Sequence, residues 1–415
     1  MDKYLLAGGR RLEGKIRVSG AKNAILPILA ATLLAPGLHI IHDVPHLRDI
    51  SVMRNILHLL GAVTELKGMT MTVNSDNIQP VEVPETLMRE MRATVFLMGP
   101  LLGRLGKVKL SHPGGCAIGS RPINWHLKGL EHLGVRIGEK HGYIEAEAKK
   151  IHGAEIHLDF PSVGATENLM MAATLAPGVT LIRNAAREPE IADLQNFLRN
   201  MGARIQGAGT DVIRIDGVTR LTAGEYRVIP DRIEAGTFML AGAITRGDVT
   251  LENVVPEHLA PVIAKMRDAG VDVTEGEKQI RVKVNDKIHG VDIKTLPHPG
   301  FPTDLQAPMI SFLTLAEGTS VITENIFENR FKYVDELRRM GADIQIEGRV
   351  AIVRSVGALT GAMVSAPDLR GGAALVLAGL AAEGETVVDN IYHIDRGYDS
   401  LEKKLAGIGA LVRRV

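Results

Sequence analysis

The chain has 415 residues, which is too long for one ordinary hydrophobic core and predicts two or three domains. Its 48 basic and 48 acidic residues cancel, which argues against nucleic acid or an anionic membrane surface as a partner. A single cysteine excludes an intramolecular disulfide and a cysteine-rich metal site.

The N-terminal region carries no targeting signal that we can identify. The first twenty residues are rich in basic side chains and lack a long apolar run, which is unlike a signal peptide. The longest uncharged apolar stretch, residues 24–37, contains two prolines and is shorter than the roughly 20 residues that cross a bilayer. The sequence therefore predicts a soluble, cytoplasmic protein without a membrane partner.

Two glycine-centred phrases recur along the chain with a common spacing. One ends six amphipathic helical patterns, and the other separates an apolar helical run from a strand-like run six times. Neighbouring copies lie 66 to 73 residues apart. The glycines are Gly61, Gly134, Gly202, Gly270, Gly341 and Gly409 in the first phrase, and Gly37, Gly106, Gly178, Gly247, Gly318 and Gly384 in the second. The sequence therefore predicts six similar units that mix helices and strands.

The apolar helices indicate how these units pack. Residues 24–34 and 373–382 are hydrophobic on nearly every face, so such helices must be buried with strands around them. Six units divide most simply into two domains of three, an α/β (α+β) architecture. We expect the N-terminal domain, with the Cys116 loop, to span residues 22–229, and the C-terminal domain to comprise residues 1–21 and 230–415. The first twenty residues would then add a strand to the C-terminal domain.

The only cysteine, Cys116, lies in a glycine-rich loop, residues 113–122, that begins and ends with proline. Glycine permits backbone angles that other residues avoid, and proline limits that freedom, so the loop is predicted to act as a lid. Arg121 is a nearby cation that would activate the thiol and bind an anionic substrate. Burial of Cys116 as a small hydrophobic residue is the alternative. We favour a functional thiol, because a glycine-rich loop is a poor core position.

Polar residues collect where the apolar helices begin. Helix N-termini carry free N–H groups and a partial positive charge, so several of them together attract phosphate or carboxylate. Capping is the alternative role for Ser162, Asp231, Asp304 and Asp368. Capping does not explain the cations at these positions, which are Lys22, Arg92, Arg232 and Arg370. Arg330 and Arg396 lie in loops, where an ordinary surface ion pair is the alternative to anion binding.

Other motifs are weak or missing from the sequence. The 14 histidines show no recognisable metal-ligand spacing, so we expect no metal. Neither a P-loop nor a dinucleotide-binding glycine motif occurs. Trp125, the single tryptophan, is interpreted as an anchor for the end of the Cys116 loop, with stacking on a base as the alternative.

Six short segments form a specific combination. They are residues 19–24 (SGAKNA), 113–122 (PGGCAIGSRP), 162–166 (SVGAT), 230–234 (PDRIE), 301–304 (FPTD) and 393–397 (HIDRG). Together they resemble the UDP-N-acetylglucosamine 1-carboxyvinyltransferases, a family of enolpyruvyl transferases, and the resemblance runs from end to end. It implies two inside-out α/β barrel domains, each of three βαβαββ repeats, with the active site in the interdomain cleft.

The resemblance also implies a reaction. The enolpyruvyl group of phosphoenolpyruvate would be transferred to the 3′-hydroxyl of UDP-N-acetylglucosamine with release of phosphate, the first committed step of peptidoglycan biosynthesis. Both substrates are small molecules, and no cofactor is expected. The oligomeric state does not follow from the sequence.

Site residues follow from the resemblance position by position. The expected catalytic residues are Cys116, Asp304, Lys22 and Arg396. Phosphoenolpyruvate would be held by Lys22, Arg121 and Arg396, with Asn23 and Arg370 close by. The nucleotide sugar would contact Arg92, Arg121, Pro122, Ile123, Asn124, Trp125, Ser162, Val163, Gly164, Asp304 and Ile326. Cys116 fits the acid that protonates the alkene carbon, and Asp304 is the best carboxylate to deprotonate the sugar hydroxyl. Cys116 is also the expected site of modification by fosfomycin.

The chain departs from the family pattern at two positions. Phe160 stands where other members carry lysine, and Asn124 where some carry aspartate, so one charged contact with uridine diphosphate is missing or replaced.

Three rival functions are weighed against this one. The shikimate-pathway enolpyruvyl transferase shares the fold and the donor but lacks the cysteine loop. An inactive paralogue that only binds the nucleotide sugar is disfavoured by intact Lys22, Cys116, Asp304 and Arg396. A thiol peroxidase centred on Cys116 would leave the anion-binding residues unexplained.

Overall fold

The computed structural model describes residues 2–112, 118–119 and 122–415, with the backbone alone for Arg92. These residues form two compact units. The C-terminal unit contains residues 2–19 and 230–415 with Ile118 and Gly119, and the N-terminal unit contains residues 20–112 and 122–229. Each unit has its own hydrophobic core.

Helices and strands alternate along the whole chain. The α-helices are α1 Lys22–Ala31, α2 Arg48–Leu59, α3 Glu85–Glu90, α4 Met98–Leu105, α5 Asn124–His132, α6 Val163–Ala173, α7 Pro189–Asn200, α8 Arg232–Ile244, α9 Ala260–Asp268, α10 Gln306–Leu313, α11 Val334–Arg339, α12 Leu369–Ala381 and α13 Leu401–Gly407. Short 3₁₀ helices span Thr32–Leu34, Arg92–Leu97, Pro256–Leu259, Thr303–Leu305 and Ile391–Arg396.

The strands of the first half are β1 Tyr4–Ala7, β2 Glu13–Arg17, β3 Leu38–His42, β4 Val63–Lys67, β5 Thr70–Asn74, β6 Lys107–Ser111, β7 Arg136–Lys140, β8 Tyr143–Glu147, β9 Glu155–His157, β10 Val179–Arg183, β11 Arg204–Gln206 and β12 Val212–Asp216. Those of the second half are β13 Glu225–Arg227, β14 Asp248–Glu252, β15 Asp272–Glu275, β16 Gln279–Lys283, β17 Ile293–Lys294, β18 Thr319–Thr323, β19 Asp343–Glu347, β20 Val350–Arg354, β21 Met363–Ser365, β22 Glu385–Asp389 and β23 Leu411–Arg414.

Each unit contains three small sheets built on one plan. In the N-terminal unit the strand orders are β13-β3-β5-β4, β6-β8-β7 and β11-β12-β10-β9, and in the C-terminal unit they are β15-β16-β14-β2, β17-β18-β20-β19 and β21-β22-β1-β23. The third N-terminal sheet shows the plan clearly: β9 runs parallel to β10, and β12 pairs antiparallel with β10 and β11. The predicted βαβαββ repeat is therefore confirmed.

The sheets do not close into barrels. The six sheets in the described part of the chain are separate, and no closed barrel is detected there. The helices nevertheless lie inside the units as predicted, because α8 and α12 are buried along almost their whole length. Glycine allows the sharp turn after the amphipathic helices: Gly61 follows α2 with a φ of 95°, a left-handed conformation that disfavours other residues.

Two of the passages between the units, at residues 19–20 and 229–230, occupy equivalent positions in the repeat pattern. β2 precedes the first passage and pairs in parallel with β14 of the C-terminal unit. β13 precedes the second and pairs in parallel with β3 of the N-terminal unit. The helices that follow these passages, α1 and α8, begin with Lys22 and Arg232, so both passages lead directly to a charged helix start.

Candidate active site

Asp304 lies between two buried arginines in the C-terminal unit. Arg330 donates from Nη2 to Asp304 Oδ1 at 2.7 Å, and Arg370 donates from Nη2 to Oδ2 at 2.9 Å. Both arginine side chains are only 3% exposed, whereas the Asp304 side chain is 25% exposed. The carboxylate is thus held in one orientation by two charge-assisted contacts and still reaches the surface.

Asp304 is not a helix cap. It lies inside the 3₁₀ helix Thr303–Leu305, whose cap residue is Pro302, and α10 begins after it. The capping alternative is therefore wrong for Asp304, whereas it holds for Ser162, Asp231 and Asp368, whose side chains accept backbone N–H bonds at the starts of α6, α8 and α12.

Arg370 is a permanently charged group inside the C-terminal unit. Burial disfavours its charge, but Asp304, Tyr398 and Asp231 outweigh burial and raise the pKa of Arg370 above the ordinary guanidinium value. Its guanidinium also lies 5.3 Å from the centre of the Tyr398 ring, and the Tyr398 hydroxyl is 2.9 Å from Thr237 Oγ1 on α8. These contacts hold the starts of α8, α10 and α12 together.

Arg396 ends the 3₁₀ helix Ile391–Arg396 and is half-buried. The next residue, Gly397, packs so closely on α12 that a Cβ atom there would lie 2.7 Å from Leu369. The contacted atoms are the end of the flexible Leu369 side chain, which would have to move to admit a larger residue at position 397. The 3₁₀ helix that ends at Arg396 packs against α12, which carries Arg370.

Lys22 is the first residue of α1 in the N-terminal unit. Its Nζ lies 2.9 Å from Asp49 Oδ2, and the Asp49 side chain is only 2% exposed. Asp49 belongs to the first turn of α2, where a carboxylate is favoured by the helix dipole. Asn23 follows in α1 and is half-buried.

The start of α6 is packed tightly against its neighbours. Ser162 caps the helix by accepting from Ala165 N at 3.4 Å, and Val163 and Gly164 follow in its first turn. A Cβ atom on Gly164 would lie 3.1 Å from the Phe96 ring and 3.3 Å from His126. A larger residue at position 164 would therefore require a small shift of the Phe96 or His126 ring.

Trp125 stacks on Phe160. The ring centres are 5.6 Å apart and the planes differ by 21°. Ile123 is buried, while Pro122 and Asn124 beside it are exposed. Phe160 thus gives Trp125 an aromatic neighbour.

Several predicted residues cannot be placed. Cys116 and Arg121 lie outside the described residues, as does the side chain of Arg92, whose backbone begins the 3₁₀ helix Arg92–Leu97. Ile326 is half-buried in the loop after β18.

Two charged partners were missed or misjudged from the sequence. Asp49 carries no motif, and only its position in the first turn of an amphipathic helix could have indicated it. The surface alternative for Arg330 is wrong, because its side chain is buried and paired with Asp304. In the described ranges no group of three or more His, Cys, Asp or Glu residues could hold a metal ion. No helix in those ranges is long and apolar enough to cross a membrane.

The repeats and the helix starts define a protein of the enolpyruvyl transferase class. A family model described as EPSP synthase (3-phosphoshikimate 1-carboxyvinyltransferase) matches residues 6–405. The chain belongs to this family.

Its relatives narrow the assignment. A protein named UDP-N-acetylglucosamine 1-carboxyvinyltransferase 1 from Symbiobacterium thermophilum is 57% identical over 420 residues, which cover 100% of this chain and 95% of the relative. A protein named UDP-N-acetylglucosamine 1-carboxyvinyltransferase from Geobacter metallireducens is 54% identical over 415 residues, which cover 100% of both chains.

Solved structures agree on the fold. The enolpyruvyl transferase NikO from Streptomyces tendae is 25% identical with a TM-score of 0.90, covering 100% of this chain and 99% of that one. An EPSP synthase from Acinetobacter baumannii is 18% identical with a TM-score of 0.77 and full coverage of both chains, which shows the fold alone.

Proposed function

We propose that this protein transfers the enolpyruvyl group of phosphoenolpyruvate to the 3′-hydroxyl of UDP-N-acetylglucosamine and releases phosphate. The observation that carries the proposal is the identity of 53% to 57% over the full chain with relatives that bear this activity in their names. Two EPSP synthase structures share the fold at 18% and 20% identity and bear on the fold alone, so the acceptor is proposed from the relatives named above.

The reaction needs an acid and a base. In the addition step, the sugar oxygen bonds to the donor carbon that carries the phosphate group, and the neighbouring alkene carbon gains a proton. In the elimination step, the bond from that donor carbon to the phosphate oxygen breaks, phosphate leaves, and the neighbouring carbon loses a proton to restore the alkene. A positioned carboxylate is suited to accept the hydroxyl proton, and Asp304 is the proposed group. Cys116 is the proposed acid.

The charges around Asp304 support an anionic donor. Phosphoenolpyruvate carries a carboxylate and a phosphate, which guanidinium groups bind in a planar, two-point manner. Arg370 and Arg396 belong to neighbouring backbone segments, and Lys22 begins a buried helix whose N–H groups favour anions. We propose Lys22, Arg121 and Arg396 as the donor-binding residues, with Asn23 and Arg370 near them.

The proposed acceptor contacts come from the residues that the family resemblance implies for the nucleotide sugar. Arg92, Pro122, Ile123, Asn124, Trp125, Ser162, Val163, Gly164 and Ile326 are the proposed contacts. Stacked Trp125 and Phe160 offer a flat apolar surface at this place instead of the charged contact that lysine makes in other members. A role in peptidoglycan synthesis also implies a cytoplasmic enzyme on which cell shape and division depend.

The test is release of phosphate from phosphoenolpyruvate with either acceptor. We expect turnover with UDP-N-acetylglucosamine and none with shikimate 3-phosphate. Fosfomycin should add one adduct to the intact protein by mass spectrometry, because Cys116 is the only thiol in the sequence. Turnover with shikimate 3-phosphate but not with UDP-N-acetylglucosamine would contradict the proposed acceptor. Phosphate release by a protein that carries no adduct at saturating fosfomycin would contradict the proposed role of Cys116.

A further inference from the structure

Glu324 is a buried carboxyl group that no part of the proposed reaction uses directly. It follows β18 in the C-terminal unit, and its side chain is fully buried. Burying a carboxylate is costly unless its oxygens accept hydrogen bonds from nearby donors. The hydrogen bonds of its carboxylate therefore show which chain segments Glu324 holds in place.

Four donors point at the two oxygens of Glu324. Oε1 accepts from the backbone N–H groups of Ile326 at 2.8 Å and Phe327 at 3.1 Å, and from Thr295 Oγ1 at 2.9 Å. Oε2 accepts from Thr303 Oγ1 at 2.9 Å. An ionised carboxylate only accepts hydrogen bonds, so this arrangement of four donors matches its chemistry.

The two oxygens serve two different segments of the chain. Oε1 fixes the loop that carries Ile326, a proposed contact of the nucleotide sugar. Oε2 fixes Thr303, whose neighbour Asp304 is the proposed base. Arg330 reinforces the second link, since its Nη2 also lies 3.3 Å from the carbonyl oxygen of Thr303.

We infer that Glu324 is a positioning residue, which holds the Asp304 segment and the Ile326 loop in register so that the acceptor hydroxyl and its base meet. The inference rests on the proposed function. A misplacement of about 1 Å at a reacting group costs on the order of 10²-fold in rate, so one buried hydrogen bond beside Asp304 has a measurable kinetic effect.

Thr303 provides the sharpest test, because a matched pair of variants separates the bond from the shape. Thr303→Val keeps the volume and loses the hydroxyl, whereas Thr303→Ser keeps the hydroxyl. We expect Thr303→Val to lower kcat by about 10- to 100-fold with little change in the Michaelis constant for UDP-N-acetylglucosamine, and Thr303→Ser to restore most of the turnover. Glu324→Gln can still bond both segments, because the Thr303 hydroxyl can accept from its amide, and it should keep most of the turnover too.

Ser320, on the strand β18 that precedes Glu324, supplies the control. Its buried hydroxyl accepts from Val291 N at 2.9 Å, remote in sequence from Thr303, so Ser320→Ala should lower the melting temperature without changing kcat. A Thr303→Val enzyme with the kcat of the parent, or one no slower than Ser320→Ala at equal stability, would overturn the inference. A parent protein that releases no phosphate would overturn the proposed function, and this inference with it.

Discussion

The structural role of the Asp304 carboxylate depends on its partners in the fold. In the sequence it is a possible helix cap, but in the fold it is the shared acceptor of two buried guanidinium groups, from Arg330 and Arg370. Removing a carboxylate from such a pair leaves buried positive charge without its partner. Its replacement therefore affects stability as well as chemistry.

Asp304→Asn is expected to lower turnover by about 10²–10⁴-fold, because an amide cannot accept the hydroxyl proton. It should also lower the free energy of unfolding by about 1–3 kcal/mol, since one arginine then faces the amide NH₂ group. Steady-state kinetics and urea unfolding measure the two effects.

Asp335→Asn is the matched control for that variant, because Asp335 forms an exposed pair with Arg338 at 2.7 Å, and it should leave both quantities nearly unchanged. If Asp304→Asn kept the turnover of the parent, Asp304 would be structural only.

At this scale the sequence predicted residue types better than it predicted partners. Lys22 and Arg370 stand out because the helix dipole disfavours a positive charge at a helix start, and Asp304 stands out as the last residue of the FPTD segment. Asp49 and Glu324 do not stand out, because each is an isolated acid whose side-chain partners, Lys22 for Asp49 and Thr295 and Thr303 for Glu324, come from other segments of the chain. Pairing of that kind depends on tertiary structure, which local patterns do not encode.

At the scale of secondary-structure elements, helix α6 combines an apolar sequence with a buried acid. Nearly all of its residues are buried, including Glu167, whose two carboxyl oxygens have no hydrogen-bond partner among the described residues. Burial, followed by Glu190 and Glu188, raises the pKa of Glu167 well above its usual value. A helix that is apolar by pattern thus carries one acid whose pKa is raised by burial.

The stability of the protein should fall as pH rises because of this acid. With a folded pKa above the unfolded value, Glu167 contributes full stability below the unfolded pKa, near 4.5, and loses it as pH rises towards the folded pKa. Asp193, whose pKa is raised to about 7 chiefly by burial, acts in the same direction between about pH 4 and 7.

Glu167→Gln removes the first of these effects and leaves the second. The variant should match or fall below the parent in stability at pH 4 and gain on it at higher pH, by at most about 1.4 kcal/mol per pH unit. Urea unfolding at several pH values measures this, with the exposed Glu147→Gln as the control. A stability difference that stays constant between pH 4 and 8 would show that Glu167 does not titrate as inferred.

Elements were predicted well where one pattern dominated. The glycine phrases placed the ends of amphipathic helices such as α2, because a left-handed residue is required there. The sequence did not indicate that the apolar helix of the second repeat is interrupted. It consists of α3, the 3₁₀ helix Arg92–Leu97 and α4, since Met91 between the first two is extended with a φ of −143°.

At the scale of the whole molecule, the two chain ends meet in one sheet. β1 lies between β22 and β23, antiparallel to both, and completes the last βαβαββ repeat. Tyr4 and Leu6 on β1 are fully buried in the core of the C-terminal unit. The repeat count from the sequence implied a strand from the N-terminal segment. Which strands it joins depends on pairing between residues 378 to 410 positions apart, which no local pattern shows.

Deleting residues 1–9 should therefore destabilise the C-terminal unit and abolish phosphate release. The deletion removes β1, the strand with which β23 pairs, and it also removes two buried side chains worth about 1.5–3 kcal/mol each. We expect a lower melting temperature and fast amide exchange in β22 and β23. Deleting residues 1 and 2 alone removes the Asp2–Arg414 ion pair but keeps β1, and it should change neither. If the longer deletion melted like the shorter one, β1 would be an accessory strand and the last repeat would be stable without it.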